Sequence, residues 1–236
     1  MTGLAEETRR LLAEASTATL TTQLFKRGLR NSFMQAVRRL TPGAPVMVGE
    51  AYTLRMIPAR EDLDHPGMFT GRAYPQRRAI EECPPGAVLV IDARGKASAG
   101  TLGDILIARL MQRGVAGVVT DGAMRDVPQI VPLAFPVYAQ GAAAPASFGL
   151  HHAADLDVPI GCGEVAVFPG DVLVGDGEGV VVIPRHLAEE VARDAAEQER
   201  LEAWILEEVR AGQGILGLYP PDDAARARYA ASRAAD

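Results

Sequence analysis

A chain of 236 residues, 48% hydrophobic and 23% charged, has the make-up of an ordinary globular protein and the length of one large domain or two small ones. With 24 Lys and Arg against 30 Asp and Glu the net charge is −6 and no basic block exists, so a nucleic-acid partner is not expected. Two cysteines, Cys83 and Cys162, exclude a disulfide framework, and no apolar run approaches bilayer length or signal-peptide form, which points to the cytoplasm and away from a membrane.

In chain order, residues 4–15 have the spacing of an amphipathic helix, with Leu4, Leu11 and Leu12 set among Glu and Arg. Ser16-Thr17 offers an N-cap for a second helical stretch over residues 20–40, which Gly28 and Asn31 should break in two. Residues 46–57 are β-prone, 58–74 read as a charged loop, and a short helix is expected over 76–82. Val88 to Asp92 should form a buried strand running into a glycine-rich loop, followed by a helix over 102–112 and a strand over 115–120. That order is a βαβ unit with a parallel pair. Beyond Asp126 short apolar runs alternate with Gly and Pro and suggest a compact β layer. Residues 186–211 read as a long charged helix whose stripe of Leu187, Val191, Leu201, Ile205 and Val209 is too extensive for exposure on a monomer. We divide the chain into a single α/β domain over 1–212 and a C-terminal extension over 213–236, with the tail after Pro221 loosely held.

The segment with most chemistry runs from Gly100 to Asp126. A helix starting near Leu102 presents free backbone N–H groups and the positive end of its dipole at the exit of a parallel strand, a site for a carboxylate or phosphate. The neighbouring strand opens on the same edge and delivers Asp121, Arg125 and Asp126 beside it. Carboxylates with an arginine, and no cluster of His or Cys, suit a hard divalent ion such as Mg2+ or Mn2+. The plainer reading makes the aspartates helix caps and Arg125-Asp126 a surface pair.

The run Gly100-x-x-Gly103-Asp104, Gly114-x-x-Gly117-x-Val119-x-Asp121-Gly122-x-x-Arg125-Asp126 resembles the signature of the family uniting 4-hydroxy-4-methyl-2-oxoglutarate aldolases with the regulator of ribonuclease activity A. Ser16-Thr17-Ala18-Thr19 and the stretch from Phe168 to Pro184 agree with it. The resemblance implies an α/β/β/α layered sandwich assembled as a trimeric ring or a pair of trimers. It further implies a metal on Asp126, Arg125 on the pyruvoyl carbonyl oxygen, and the substrate carboxylate on the amides of Ile105 and Leu106 after Gly103. Asp104 would position a water, and a glutamate from a neighbour's long helix, Glu199 or Glu202, would complete the site. The activity implied is metal-dependent cleavage of a 2-oxo acid to pyruvate. The ribonuclease-regulator members lack the aspartate found here as Asp104, which favours the enzyme over a regulator that binds a ribonuclease or helicase.

Other candidates are weaker. His151 and His152 are adjacent, so a strand would point them to opposite faces. Lys96 is one of only two lysines, Lys26 being the other, and lacks an evident desolvated setting for Schiff-base chemistry. Cys162 has no adjacent base, and Arg55, Arg60 and Arg72 could line the mouth of the cleft.

Overall fold

The computed structural model describes residues 3–233. Helices α1 (Glu6–Glu14) and α2 (Thr17–Lys26) meet at Ser16, whose hydroxyl accepts the Thr19 N–H and caps α2 as the sequence suggests. α2 stops before Gly28, which sits at φ +85°, and the helical continuation expected up to residue 40 does not form. Sheet partners claim those residues instead. Met34 N–H donates to Val180 O, Gln35 N–H to Gly163 O and Leu40 N–H to Val137 O, while β1 (Arg38–Arg39) forms beside them. Tertiary partners for the backbone outweigh weak helical periodicity here.

The chain continues through β2 (Met47–Pro58), α3 (Pro75–Glu82), β3 (Val88–Asp92), α4 (Asp104–Gln112), β4 (Gly117–Thr120), β5 (Ala123–Met124), α5 (Val127–Ile130), β6 (Val137–Ala139) and β7 (Gly141–Ala142). Then come β8 (His151–Leu156), β9 (Ile160–Cys162), β10 (Val165–Val167), β11 (Val172–Gly175), β12 (Val180–Ile183), α6 (Ala188–Arg210) and α7 (Asp223–Arg233). The main sheet runs β1-β6-β4-β3-β2-β11-β12, and β8 pairs with the far half of β2. The β2–β3, β3–β4 and β4–β6 pairs are parallel. β3-α4-β4 is therefore the expected βαβ unit, and both strands exit on one edge.

Side-chain alternation along the strands builds the layers. Leu89, Ile91 and Val118 face α3 and α4 with Ile80, Ile107 and Leu110. Val88, Val90 and Val119 face the other way, onto Leu173, Val180 and Val182 of β11 and β12 and onto the β9–β10 hairpin. The opposite faces of β11 and β12, with Val174, Val181 and Ile183, pack under α1, α2 and α6 against Leu12, Leu20 and Val191. Three apolar seams thus hold the helices and the curled sheet together within one mixed α/β domain. Each fully buried Val, Leu or Ile in these seams contributes about 1.5–3 kcal/mol.

The C-terminal extension differs from expectation. Its α7 lies against α6, Leu218 and Ala225 cover Ile205, and the Trp204 and Tyr229 rings approach to 5.7 Å. Arg228 sits over the Trp204 ring and pairs with Glu208 at 2.9 Å. The tail is therefore docked, not loose. Much of the α6 stripe read as an interface is likewise covered within the chain: Val191 by α1 and α2, Ile205 by the extension, with Val209 left exposed. Among the described residues no helix is long and apolar enough to cross a membrane.

Candidate active site

The glycine-rich loop after β3 is fixed from below. Asp121, at the end of β4, accepts the Ala93 N–H at 2.6 Å and the Gly95 N–H at 2.9 Å. Its carboxyl is buried, which raises its pKa against the pull of those amides, and the charge of Asp92 adds to the rise. Asp121 is therefore engaged in holding this loop and does not join Arg125 and Asp126, contrary to the sequence expectation.

Beyond that loop, residues 100–102 and 123–125 run side by side. Thr101 N–H donates to Ala123 O at 2.7 Å and Arg125 N–H to Leu102 O at 2.8 Å. Two glycines let the strands close. A Cβ on Gly100 would collide with Arg125 Cγ and lie 2.8 Å from Arg125 N, and a Cβ on Gly103 would lie 2.5 Å from Asp126 Oδ2. The spacing Gly100-x-x-Gly103 is thus a steric requirement that seats Arg125 and Asp126 against the start of α4.

Neither plain reading of that pair holds. Asp126 occupies the N-cap position of α5 in the left-handed region, φ 55°, yet its side chain caps nothing. Among the described residues Arg125 makes no ion pair, and its buried Nε has no hydrogen-bond partner. A strained aspartate and an unsatisfied guanidinium nitrogen each cost on the order of 1–3 kcal/mol, the kind of cost that gathers at functional sites. At the start of α4 the first helical bond is Ile107 N–H to Gly103 O, so the earlier amides lie outside the ladder. The Ile105 amide is occupied by Asp104 Oδ1 at 2.7 Å, which leaves the Leu106 amide open. This helix start already holds one carboxylate, its own.

Gly100, Gly103, Leu106 and Arg125 line a cavity of about 260 Å³ together with residues the sequence reading missed, among them Gln76, Arg77, Ser147 and Phe148. Gln76 is buried and donates to Thr101 O at 2.6 Å, so α3 braces the wall of the site. Nothing local marks it, since its partner lies 25 residues away. Of the three arginines placed at the mouth, only Arg72 lies near, in a larger cleft that shares Arg77 and Leu106 with the first. Arg55 is paired with Asp155 and Arg60 with Asp62.

Glu199 lies on α6, where its Oε1 accepts the Ser16 N–H at 2.9 Å. Burial works against its ionisation, but that amide and the Thr19 and Ser16 hydroxyls prevail and hold the carboxyl below the usual range. Glu202 is half-buried and, among the described residues, accepts only from Gln198, at 2.9 Å. His151 is buried beside Arg94, and burial followed by that charge pushes its pKa down to about 4, so it is neutral near pH 7. His152 emerges on the other side of β8 and meets Asp64 at 2.9 Å, so the two histidines do diverge. Lys96 is exposed, and burial pushes the Cys162 thiol well above its usual range, which makes it a poor nucleophile.

Among the described residues no three His, Cys, Asp or Glu side chains gather as a metal cage. What is present is an exposed carboxylate, Asp126, set against Gly103, with Asp104 next to that glycine in the chain. That oxygen-only, carboxylate-poor set fits Mg2+, which keeps most of its waters and needs one or two carboxylates.

The model of the RraA-like family, described as Aldolase/RraA, matches residues 17–182. This chain belongs to the RraA-like family. It is 39% identical over 145 residues to a provisionally named 4-hydroxy-4-methyl-2-oxoglutarate aldolase of Halalkalibacterium halodurans, an alignment covering 59% of this chain and 68% of that protein. Among solved structures it is similar to Streptomyces coelicolor RraAS2, described as an unusual member of the RNase ES inhibitor RraA protein family, at 33% identity and TM-score 0.75 over 86% of this chain and 98% of that one. An uncharacterised Pseudomonas syringae protein superposes with TM-score 0.79 at 25% identity, covering 93% of this chain and all of that one. The RraA-like family thus contains both aldolase-type and ribonuclease-inhibitor members.

Proposed function

We propose that the protein is a divalent-metal-dependent carbon–carbon lyase that releases pyruvate from 2-oxo acids, by retro-aldol cleavage of a 4-hydroxy-2-oxo acid or by decarboxylation of oxaloacetate. The observation that carries this reading is the unpartnered Arg125-Asp126 pair held against the start of α4 by Gly100 and Gly103. Both reactions need the same thing of a site. In the first the C3–C4 bond breaks, the C4 hydroxyl gives up its proton and C4 becomes a carbonyl. In the second the bond from C3 to the distal carboxylate breaks and CO2 leaves. Either way the electron pair spreads from C3 onto the 2-oxo oxygen, and C3 then takes a proton.

Arg125 meets that demand by donating to the 2-oxo oxygen, where its preformed charge acts in a partly buried setting. The Leu106 amide receives the substrate's carboxylate, joined by the Ile105 amide once Asp104 turns aside. Asp104, released from its own helix, then holds the water that carries the proton. Asp126 would hold Mg2+ or Mn2+, which when bound adds positive charge for the developing oxyanion. Assembly as a trimer or a pair of trimers belongs to the same proposal. Because Glu199 is engaged with Ser16, Glu202 is the glutamate assigned to a neighbour's site.

The test is pyruvate release from oxaloacetate and from 4-hydroxy-4-methyl-2-oxoglutarate, with Mg2+ or Mn2+ and again with EDTA. Turnover that EDTA abolishes is expected, and none on either substrate would overturn the reading. A non-catalytic regulator of a ribonuclease or helicase is the second reading, favoured by the likeness to the Streptomyces protein. Recovery of such an enzyme from a lysate, unaffected by Asp126→Ala and without turnover, would select it.

A further inference from the structure

The cavity around Arg125 is large enough for the pyruvoyl end of a substrate, yet it adjoins a second cleft of about 720 Å³ that shares Leu106 and Arg77 with it. That volume falls within the range of pockets for whole drug-sized ligands, far more than the remainder of oxaloacetate would fill. Its character is mixed. Ile80, Leu106 and Ile105 give it an apolar side, and Ile105, in the first turn of α4, is 78% exposed.

The remainder of the wall is charged, with four arginines against two glutamates. The glutamates are both engaged: Glu81 with Arg109 at 2.7 Å and Glu82 with Arg78 at 2.8 Å. Arg72 has no ion-pair partner among the described residues and Arg77 stands at the junction of the two cavities, so the cleft carries a net positive charge. An apolar floor under a cationic rim suits a group that is carbon-rich along its length and anionic at its end.

We infer that this cleft is the distal subsite of the lyase, that its substrate is a 2-oxo acid with a bulky C4 substituent ending in a carboxylate or phosphate, and that Arg72 is the residue that selects for the anion. The inference rests on the pyruvate-forming reading above and deepens it. It places the 2-oxo acid end on Arg125 and α4, and it runs the remainder of the substrate over Leu106 and Ile105 toward Arg72. Arg77, at the junction, would lie alongside the chain between the two ends.

The reaction run in the aldol direction tests it, with pyruvate, Mg2+ and a panel of aldehydes: glycolaldehyde as small and neutral, benzaldehyde as bulky and neutral, 4-carboxybenzaldehyde and glyceraldehyde 3-phosphate as anionic. Oxaloacetate decarboxylation is followed in parallel. One or both anionic aldehydes should exceed the neutral ones by about tenfold or more in kcat/KM, and whichever leads identifies the anion. Arg72→Ala should lower the ratio of 4-carboxybenzaldehyde to benzaldehyde about tenfold, and Arg72→Lys should restore part of it. Oxaloacetate turnover with no preference for the anionic aldehydes, or with a ratio unmoved by Arg72→Ala, would overturn the subsite while leaving the lyase intact. Failure on oxaloacetate and on every aldehyde would instead overturn the lyase reading and the subsite with it.

Discussion

The corner where α4 meets β5 and the seam where α6 meets α2 and α7 use the same side chains, arginine and carboxylate, in opposite ways. Along α6 most of the charges that face α2 and α7 have partners. Glu197 is bonded by Arg200 at 2.8 Å and by Arg233 and Tyr229 at 3.1 Å, Arg27 bridges Glu190 and Asp194, and Glu199 ties down the start of α2. At the α4 corner Arg125 and Asp126 are neighbours in sequence, yet among the described residues neither joins an ion pair, and two glycines are needed to hold them so. Surface pairs like those of α6 contribute about 0–1 kcal/mol each and mainly fix one helix on another. The α4 corner gives up even that. Arg27 also leaves its Nε unbonded but reaches two carboxylates, whereas Arg125 has a bare Nε and no ion pair among the described residues, which makes sense where a ligand supplies the missing acceptor. Charge that is satisfied reads as architecture, and charge that is held apart reads as a site.

The comparison is broken most severely by removing the glycine gap. Gly100→Ala should push Arg125 away from its seat, because the new methyl meets Arg125 Cγ and backbone N. Misplacing a catalytic group by about an ångström can cost on the order of a hundredfold, so kcat/KM for oxaloacetate should fall by roughly that factor with the circular dichroism spectrum retained. A smaller effect is expected on the other side. Glu199→Ala frees the Ser16 amide and removes one of the ties between α6 and α2. Loss of such a cap-like bond costs about 1–2 kcal/mol, to be read as a lower urea midpoint at unchanged slope. An equally large loss of stability from Asp126→Ala would erase the distinction, because it would show the site carboxylate to be architectural as well.

How much of this was legible in the sequence follows the same division. The βαβ unit and its helix, expected from residue 102 and found from Asp104, were readable because they depend on residues close in the chain, punctuated by glycine. The second half of the expected helix over 20–40 failed because Met34 and Gln35 donate to carbonyls at residues 180 and 163, partners that no local window contains. Asp121 was misplaced for a related reason, since its amide partners lie 28 and 26 residues earlier. The α6 stripe was recognised, but its cover, Leu218 and Ala225, comes from a tail whose Ala- and Arg-rich composition hid an α7 that packs on it. Arg77 and Gln76 were missed because α3 carries no mark of chemistry until α4 is placed beside it.

The most direct measurement compares the wild type with Asp126→Ala for pyruvate release from oxaloacetate across a Mg2+ titration, on protein of equal thermal stability. The account predicts saturable dependence on Mg2+ in the wild type and a loss of about a thousandfold in the variant, the several kcal/mol that a bound ion contributes to a developing oxyanion. A variant that keeps its turnover and remains sensitive to EDTA would show that Asp126 is not where the metal acts.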